Sequence, residues 1–179
     1  MPTYIAMLRG INVSGHKIIK MDALRASLTK LGFNEVQTYL QSGNVIFKTA
    51  SDSAAGVSGK IEQRILRDFG FVVPVLLRTA KELAKVVARN PFLKDPSLDQ
   101  SRFHVSFLSG APSKTACAEL APLITGAEQI HVAGREIYLY CPNGYGNSKI
   151  SNVAIEKRLS LPATTRNWNT TKTLLTLAK

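Results

Sequence analysis

The fold is decided by residues 36–49, VQTYLQSGNVIFKT. Residues 36–40 and 45–49 are runs of strand-forming side chains, and they flank the tetrapeptide QSGN at 41–44. Serine, glycine and asparagine favour turns because they tolerate the sharply bent backbone or hydrogen-bond to it. We therefore predict two strands joined as a hairpin, with the turn at 41–44.

The segments on either side of this hairpin alternate between strand and helix. Residues 3–8 and 72–77 are short apolar runs that fit strands. Apolar residues recur at helical spacing between these strands and the hairpin, at Met21, Leu24, Leu28 and Leu31 and at Ile61, Ile65, Leu66 and Phe69. The order β-α-β-β-α-β predicts a ferredoxin-like arrangement, in which the fourth strand lies at a sheet edge and tolerates Pro74.

The second half of the chain repeats this order. The pattern predicts strands at 103–107, 129–132, 136–140 and 162–166 and helices at 115–124 and 149–159. Asn167 is expected to cap a closing helix. The predicted fold class is therefore α+β, with two tandem ferredoxin-like (βαββαβ) halves packed together. The first half is residues 1–80, a helix and linker occupy 81–101, and the second half with a C-terminal helix is 102–179.

Composition favours an anionic partner and argues against several other classes. The chain carries 23 Lys and Arg against 12 Asp and Glu, a net charge of +11 that attracts phosphate-bearing molecules. No apolar run reaches the roughly 18–20 residues that span a bilayer, so we expect a cytoplasmic protein without a membrane partner. The two cysteines, Cys117 and Cys141, form no CxxC motif and are expected to be buried. We predict no metal and no cofactor.

The loop RGINVSGHK at 9–17 is the first candidate site. It combines glycines with Arg9, Lys17 and the nearby Lys20, and no acid interrupts these charges. Backbone N–H groups and cations near a helix start are suited to binding phosphate. The alternative is a tight connection whose glycines serve geometry alone. A P-loop is rejected, because His16 displaces Lys17 and Ile18 replaces the hydroxyl residue that binds magnesium.

A second polar loop, NGYGNSK at 143–149, occupies the corresponding place in the second half. Tyr145 and Lys149 have the YxxxK spacing of short-chain dehydrogenases, but Gly146 and Asn147 disfavour the helix which that chemistry requires. The third candidate is TTRNWNT at 164–170.

In that third segment, a helix cap accounts for Asn167 and burial accounts for Trp168. Arg166 and Asn169 are left to contact an anion or a polar ligand.

No catalytic set is assigned. Ser42 lacks the GxSxG elbow, and His16, His104 and His131 are too scattered for a base or a metal site. The third strand offers only Phe47 to the aromatic pattern of RNA-recognition modules, so base stacking on the sheet is not indicated.

Four segments in this order resemble the bacterial family called domain of unknown function 1697: 7–13 (MLRGINV), 37–45 (QTYLQSGNV), 143–146 (NGYG) and 164–170. The resemblance covers nearly the whole chain and implies a duplicated ferredoxin-like fold, but no activity. The positions that match the family motifs are Arg9, Asn12, Ser42, Asn44, Tyr145, Lys149, Arg166 and Asn169, and with Lys17 they form the candidate ligand-binding set.

Three functional hypotheses follow from these observations. The leading one is a binding protein for a phosphate-bearing small molecule or nucleic acid, which uses the neighbourhoods of Arg9 and Arg166. The second is an enzyme without a familiar motif, whose loop residues converge on one cleft. The third is a protein-interaction module, in which the same motifs build turns and an interface.

Overall fold

Two four-stranded antiparallel sheets and six α-helices make up the described part of the chain. The structure is a computed structural model that describes residues 1–50 and 53–179. The chain divides into two compact units, the first formed by Met1–Lys85 with Thr173–Lys179 and the second by Val86–Lys172. No helix among the described residues is both long enough and apolar enough to cross a membrane.

The first unit contains one sheet with the strand order β2-β3-β1-β4. Its elements are β1 (Thr3–Leu8), α1 (Met21–Thr29), β2 (Asn34–Tyr39), β3 (Asn44–Lys48), α2 (Ala54–Phe69), β4 (Val75–Thr79) and the start of α3 (Ala80–Ala88). The predicted hairpin at 36–49 is present as β2 and β3. Gly70 ends α2 in the left-handed conformation that glycine adopts most readily.

The core of the first unit lies between its sheet and the helices α1 and α2. Alternate residues of β1, among them Ala6 and Leu8, join this core with Leu24 and Ile61. The remaining β1 residues Ile5 and Met7 are also fully buried, which accounts for an apolar run without alternation. Each such buried aliphatic side chain contributes roughly 1.5–3 kcal/mol to folding.

The fourth strand begins later than the pattern predicts. The expectation was a strand at 72–77, whereas β4 starts at Val75, directly after Pro74. Proline has no N–H to donate to a ladder, so regular pairing starts after it. The carbonyl of Pro74 instead accepts the backbone N–H of Arg9 at 3.0 Å.

The second unit contains a sheet with the strand order β6-β7-β5-β8. Its elements are the end of α3, β5 (Phe103–Leu108), α4 (Lys114–Ala118), β6 (Gln129–Ala133), β7 (Glu136–Tyr140), α5 (Asn152–Leu159), β8 (Ala163–Asn167) and the start of α6 (Trp168–Leu177). Asn167 caps α6 as predicted, since its Oδ1 accepts the N–H of Thr170 at 2.8 Å.

Two helices of this unit are shorter than the pattern predicts. The expected helix at 115–124 is α4 followed by a short 3-10 turn, because Pro122 lacks the N–H that a continuing α-helix requires. The expected helix at 149–159 begins only at Asn152, where the Ser151 hydroxyl accepts the N–H of Ala154 and acts as the cap.

The three strands β3, β1 and β4 have the same pairing register as β7, β5 and β8. Ile5 in β1 pairs with Ile46 in β3 and Arg78 in β4. Val105 in β5 pairs in the same way with Tyr138 in β7 and Arg166 in β8. Both arginines are buried, and each lies one residue before the residue that caps the following helix.

Candidate functional site

Residues 12–17 form a small hairpin, here called the finger, between β1 and α1. The N–H of Asn12 donates to the carbonyl of Lys17 at 3.1 Å, and the N–H of His16 donates to that of Val13 at 2.9 Å. Ser14 and Gly15 at its tip have φ values of 50° and 75°. Two successive positive φ values define the type I′ turn that joins tightly twisted strands.

Asn12 fastens the finger to the rest of the unit. Its Nδ2 donates to the carbonyls of Ile19 at 3.0 Å and Gln41 at 2.7 Å, and its Oδ1 accepts the N–H of Ile19 at 2.9 Å. Asn12 also has a φ of 54°, which asparagine tolerates better than most residues. Its side chain is therefore fully used in holding backbone.

Three segments meet at the finger, residues 9–20, 40–44 and 71–74, and we call their shared surface the loop surface. Lys17 Nζ donates to the carbonyl of Val72 at 2.8 Å. The N–H of Leu8 donates to the carbonyl of Gly43 at 2.8 Å. These bonds join parts of the chain that are distant in sequence into one rigid surface.

Asn44 and Ser42 close the hairpin turn. Asn44 is completely buried, and its Nδ2 donates to the carbonyl of Tyr39 at 2.8 Å and to Ser42 Oγ at 3.1 Å. Asn12, Lys17 and Asn44 thus all hold backbone or turn geometry. Arg9 is half-buried and Ser42 is exposed on the same surface.

The loop surface carries positive charge without acids. Arg9, Lys17 and Lys20 belong to its three segments, which contain no Asp or Glu. The next acid along the chain, Asp22, is paired with Arg25 at 2.6 Å. Segments that carry cations and no acids contribute a positive potential that concentrates anions.

The loop surface also exposes apolar side chains that the sequence did not identify. Val13 and Ile18 are each 57% exposed, and Val72 is 71% exposed. Isolated exposed apolar residues are ordinary, but a group on a rigid basic surface is typical of a contact face.

The candidates of the second unit lie in a different setting. Tyr145 OH donates to Thr165 Oγ1 at 3.2 Å, and that hydroxyl donates to Asn152 Oδ1 at 2.7 Å. Ser106 Oγ lies 2.6 Å from Thr165 Oγ1, and the His104 ring stacks on Tyr145 with the centroids 4.9 Å apart. These groups form a connected hydroxyl network on one face of the sheet.

Arg166 lies on the opposite face from this network. Successive residues of a strand point to opposite faces, and Arg166 directly follows Thr165. Its Nη1 donates to Thr164 Oγ1 at 2.8 Å and to the carbonyl of Thr165 at 3.0 Å, and burial lowers its pKa to about 10. The structure therefore does not bring Arg166 and Tyr145 together.

The other two candidates of this unit, Lys149 and Asn169, are exposed. The five candidates of the first unit therefore belong to the segments of the loop surface, whereas in the second unit Arg166 is separated from Tyr145.

Burial of His104 predicts a specific pH dependence. Burial lowers the pKa of His104 below its ordinary value of 6.5. The unfolded chain then binds a proton more readily than the folded protein, so stability is complete above pH 6.5 and falls as the pH drops towards the folded-state pKa.

We expect His104→Phe, which keeps a ring against Tyr145, to lose less stability than wild type as the pH falls. The check is thermal unfolding of both proteins between about pH 7.5 and about pH 4.5. Equal losses in the two proteins would show that His104 does not contribute.

The cysteines agree only in part with their predicted burial. Cys141 is completely buried, and burial raises the pKa of its thiol to about 11, which keeps it protonated and unreactive. Cys117 is only half-buried, because α4 is short and this part of it is open to solvent. Within residues 1–50 and 53–179, no group of three His, Cys, Asp or Glu side chains is placed to hold a metal ion.

A sequence model of the family described as "Protein of unknown function (DUF1697)" matches residues 1–138. The chain belongs to this family. The resemblance identified from the motifs is thus confirmed, and the matched range includes the finger and the whole loop surface. The DUF1697 match includes His104 and Ser106 of the hydroxyl network but ends before Tyr145, Asn152 and Thr165.

A solved structure supports the fold of this DUF1697 protein. A conserved bacterial protein from Streptococcus pneumoniae is similar over 99% of both chains, with a TM-score of 0.79 and 23% sequence identity. At this identity the likeness concerns the fold alone. No match was found among curated proteins.

One feature of the DUF1697 protein was missed by the sequence analysis. A depression of about 230 Å³ in the first unit is lined by Leu31, Lys60, Gln63, Arg64 and Arg67. The last four recur on α2 at i, i+3, i+4 and i+7, the spacing of one helix face. That spacing is the signal in the sequence from which a polar face of α2 could be predicted.

Proposed function

We propose that this protein binds a phosphate-bearing ligand, a phosphorylated small molecule or a nucleic acid, at the loop surface of the first unit. The observation that carries the proposal is a hydrogen-bonded finger, which contains Lys17 and lies between Arg9 and Lys20 in the chain, in segments without any acid. A cationic surface that is already ordered binds an anion without a further ordering cost.

The finger supplies a second kind of donor. The backbone N–H groups of Ser14 and Gly15 at the tip form no hydrogen bond among the described residues, and both residues are exposed. Backbone N–H groups in turns are good partners for phosphate oxygens. Lys20 is exposed and directly follows Ile19, which binds Asn12 at the base of the finger through both backbone groups.

The proposal extends to the repeat and to the second unit. We propose tandem ferredoxin-like halves at 1–80 and 102–179 with a linker at 81–101, supported by the matching registers of three strands in each sheet. In the second half, Lys149 and Asn169 are the exposed candidates for ligand contact. A cytoplasmic location, where phosphorylated metabolites and nucleic acids occur, belongs to the same proposal.

A pair of charge-reversal variants tests the loop surface. We expect wild type to bind some nucleotides, phosphorylated metabolites or short oligonucleotides saturably in a thermal-shift and titration screen, and more weakly at high salt. Lys20→Glu removes an attraction and adds a repulsion, so the affinity should fall about tenfold. The matched control is Lys114→Glu, an exposed lysine of the second unit.

Two results would contradict this assignment. Absence of saturable binding across the screen would remove the proposed function. Equal weakening by Lys20→Glu and Lys114→Glu would show that overall charge, rather than the loop surface, determines binding.

The exposure of Val13, Ile18 and Val72 favours protein interaction as the second candidate function. In that case the finger presents apolar contacts and its cations select an acidic partner. Replacing Val13 and Ile18 by serine would then abolish partner binding, whereas phosphate binding would depend on Lys20 instead.

A further inference from the structure

The depression on α2 is lined by three cationic side chains, one amide side chain and one leucine. Its lining residues, Leu31, Lys60, Gln63, Arg64 and Arg67, are here called the α2 groove. Lys60 and Arg67 are seven residues apart, about 10.5 Å along a helix axis, and Arg64 lies between them. The groove therefore presents positive charge along a line rather than at a point.

Arg64 is held in place by hydrogen bonds that connect it through Asp68 to Ser27. Its Nε donates to Asp68 Oδ2 at 2.7 Å, and the same oxygen accepts the hydroxyl of Ser27 at 2.6 Å. The Arg64 side chain is only 16% exposed. This contact uses Nε and leaves the two Nη groups without a hydrogen bond among the described residues. An oriented guanidinium with free Nη donors is suited to the oxygens of a phosphate.

The acids of α2 do not neutralise the remaining cations. The helix has two acids, and Asp68 is bound to Ser27 and Arg64. The other, Glu62, accepts the N–H of Val75 at 2.9 Å. Lys60 and Arg67 are exposed and form no ion pair within residues 1–50 and 53–179. The groove therefore has a net positive charge.

We propose that the α2 groove is a second binding site, which takes a phosphate group of a small molecule or of a nucleic acid strand. Its volume of about 230 Å³ lies below the range of about 300–1,000 Å³ for pockets that enclose whole organic ligands. It therefore holds the charged group, while the rest of the ligand extends along α2. This site is independent of the loop surface.

Isothermal titration calorimetry with pyrophosphate and with a short single-stranded oligonucleotide tests the groove. The test variant is the double substitution Lys60→Gln with Arg67→Gln. It removes two exposed, unpaired charges and leaves the hydrogen bond between Arg64 and Asp68 intact. The control, Lys114→Gln with Lys157→Gln, removes the same charge from the second unit. We expect the groove variant to weaken one binding event at least about tenfold and to keep the event at the loop surface, while the control binds as wild type.

The two probes and the Lys20→Glu variant separate the possible outcomes. If the groove variant loses pyrophosphate binding, the groove takes a small phosphorylated ligand. If it loses only oligonucleotide binding, the groove takes a nucleic acid strand. Unchanged affinity in the groove variant, equal loss in the control, or no binding by wild type would overturn the proposal. Loss in Lys20→Glu with no loss in the groove variant would overturn the groove and support the loop surface.

Discussion

Gly43→Ala is expected to lower the free energy of unfolding by about 2–5 kcal/mol. A Cβ at this position would lie 2.6 Å from Ile11 Cδ1 and 3.0 Å from Leu8 Cβ, closer than carbon atoms approach without displacement. Gly43 also has a φ of 83°, which is strained for alanine. Both neighbours are buried in the core, so neither can move away freely. Chemical denaturation measures the change.

Gly59→Ala is the matched control for this substitution. Gly59 lies inside α2, and a Cβ there would have no atom within 4 Å. Because alanine favours the helix over glycine, we expect Gly59→Ala to stabilise the protein by about 0.5–1 kcal/mol. If Gly43→Ala were as well tolerated as Gly59→Ala, the close approach of the hairpin turn to Ile11 would be wrong.

Asn12→Ala is expected to lower the free energy of unfolding by about 2–4 kcal/mol and to abolish ligand binding at the loop surface. The variant loses the side-chain bonds to Ile19 and Gln41, and it places alanine at a φ of 54°. The finger would then be detached from the hairpin turn. Denaturation and the ligand titration measure the two effects separately.

Asn12→Asp and Asn143→Ala are the controls for this prediction. Aspartate keeps the acceptor and tolerates the backbone, but its second carboxylate oxygen would face the carbonyls of Ile19 and Gln41, so we expect a loss of stability at least as large as in Asn12→Ala. Asn143 is exposed in the second unit and should tolerate alanine. If Asn12→Ala lowered the free energy of unfolding no more than Asn143→Ala does, Asn12 would not hold the finger in place.

The elements of the fold were predictable where a local signal decides them. The turn formers at 41–44 and the runs of strand-forming residues around them predict β2 and β3, and Gly70 predicts the end of α2. Two of the errors occur at Pro74 and Pro122, where the apolar pattern continues but the missing N–H ends the regular hydrogen bonding. Local backbone chemistry therefore outweighed hydrophobic periodicity at these boundaries.

The candidate site was predictable only as a set of residues. The loop at 9–17 was identified from its glycines and cations, yet the role of Asn12 depends on Gln41, and that of Lys17 depends on Val72. Such contacts between distant segments leave no periodic signal in one sequence. Arg166 and Tyr145 were grouped by motif, whereas strand alternation places Arg166 on the other face from Thr165 and its partner Tyr145.

The most direct test of phosphate binding at the loop surface is an amide-resolved NMR titration of wild type with pyrophosphate. The account predicts saturable shifts of the Ser14 and Gly15 amides, which lie at the tip of the finger, and loss of these shifts in Lys20→Glu. Saturation of other amides while Ser14 and Gly15 stay unmoved, or no saturable shift at all, would contradict the assignment of the loop surface as the binding site.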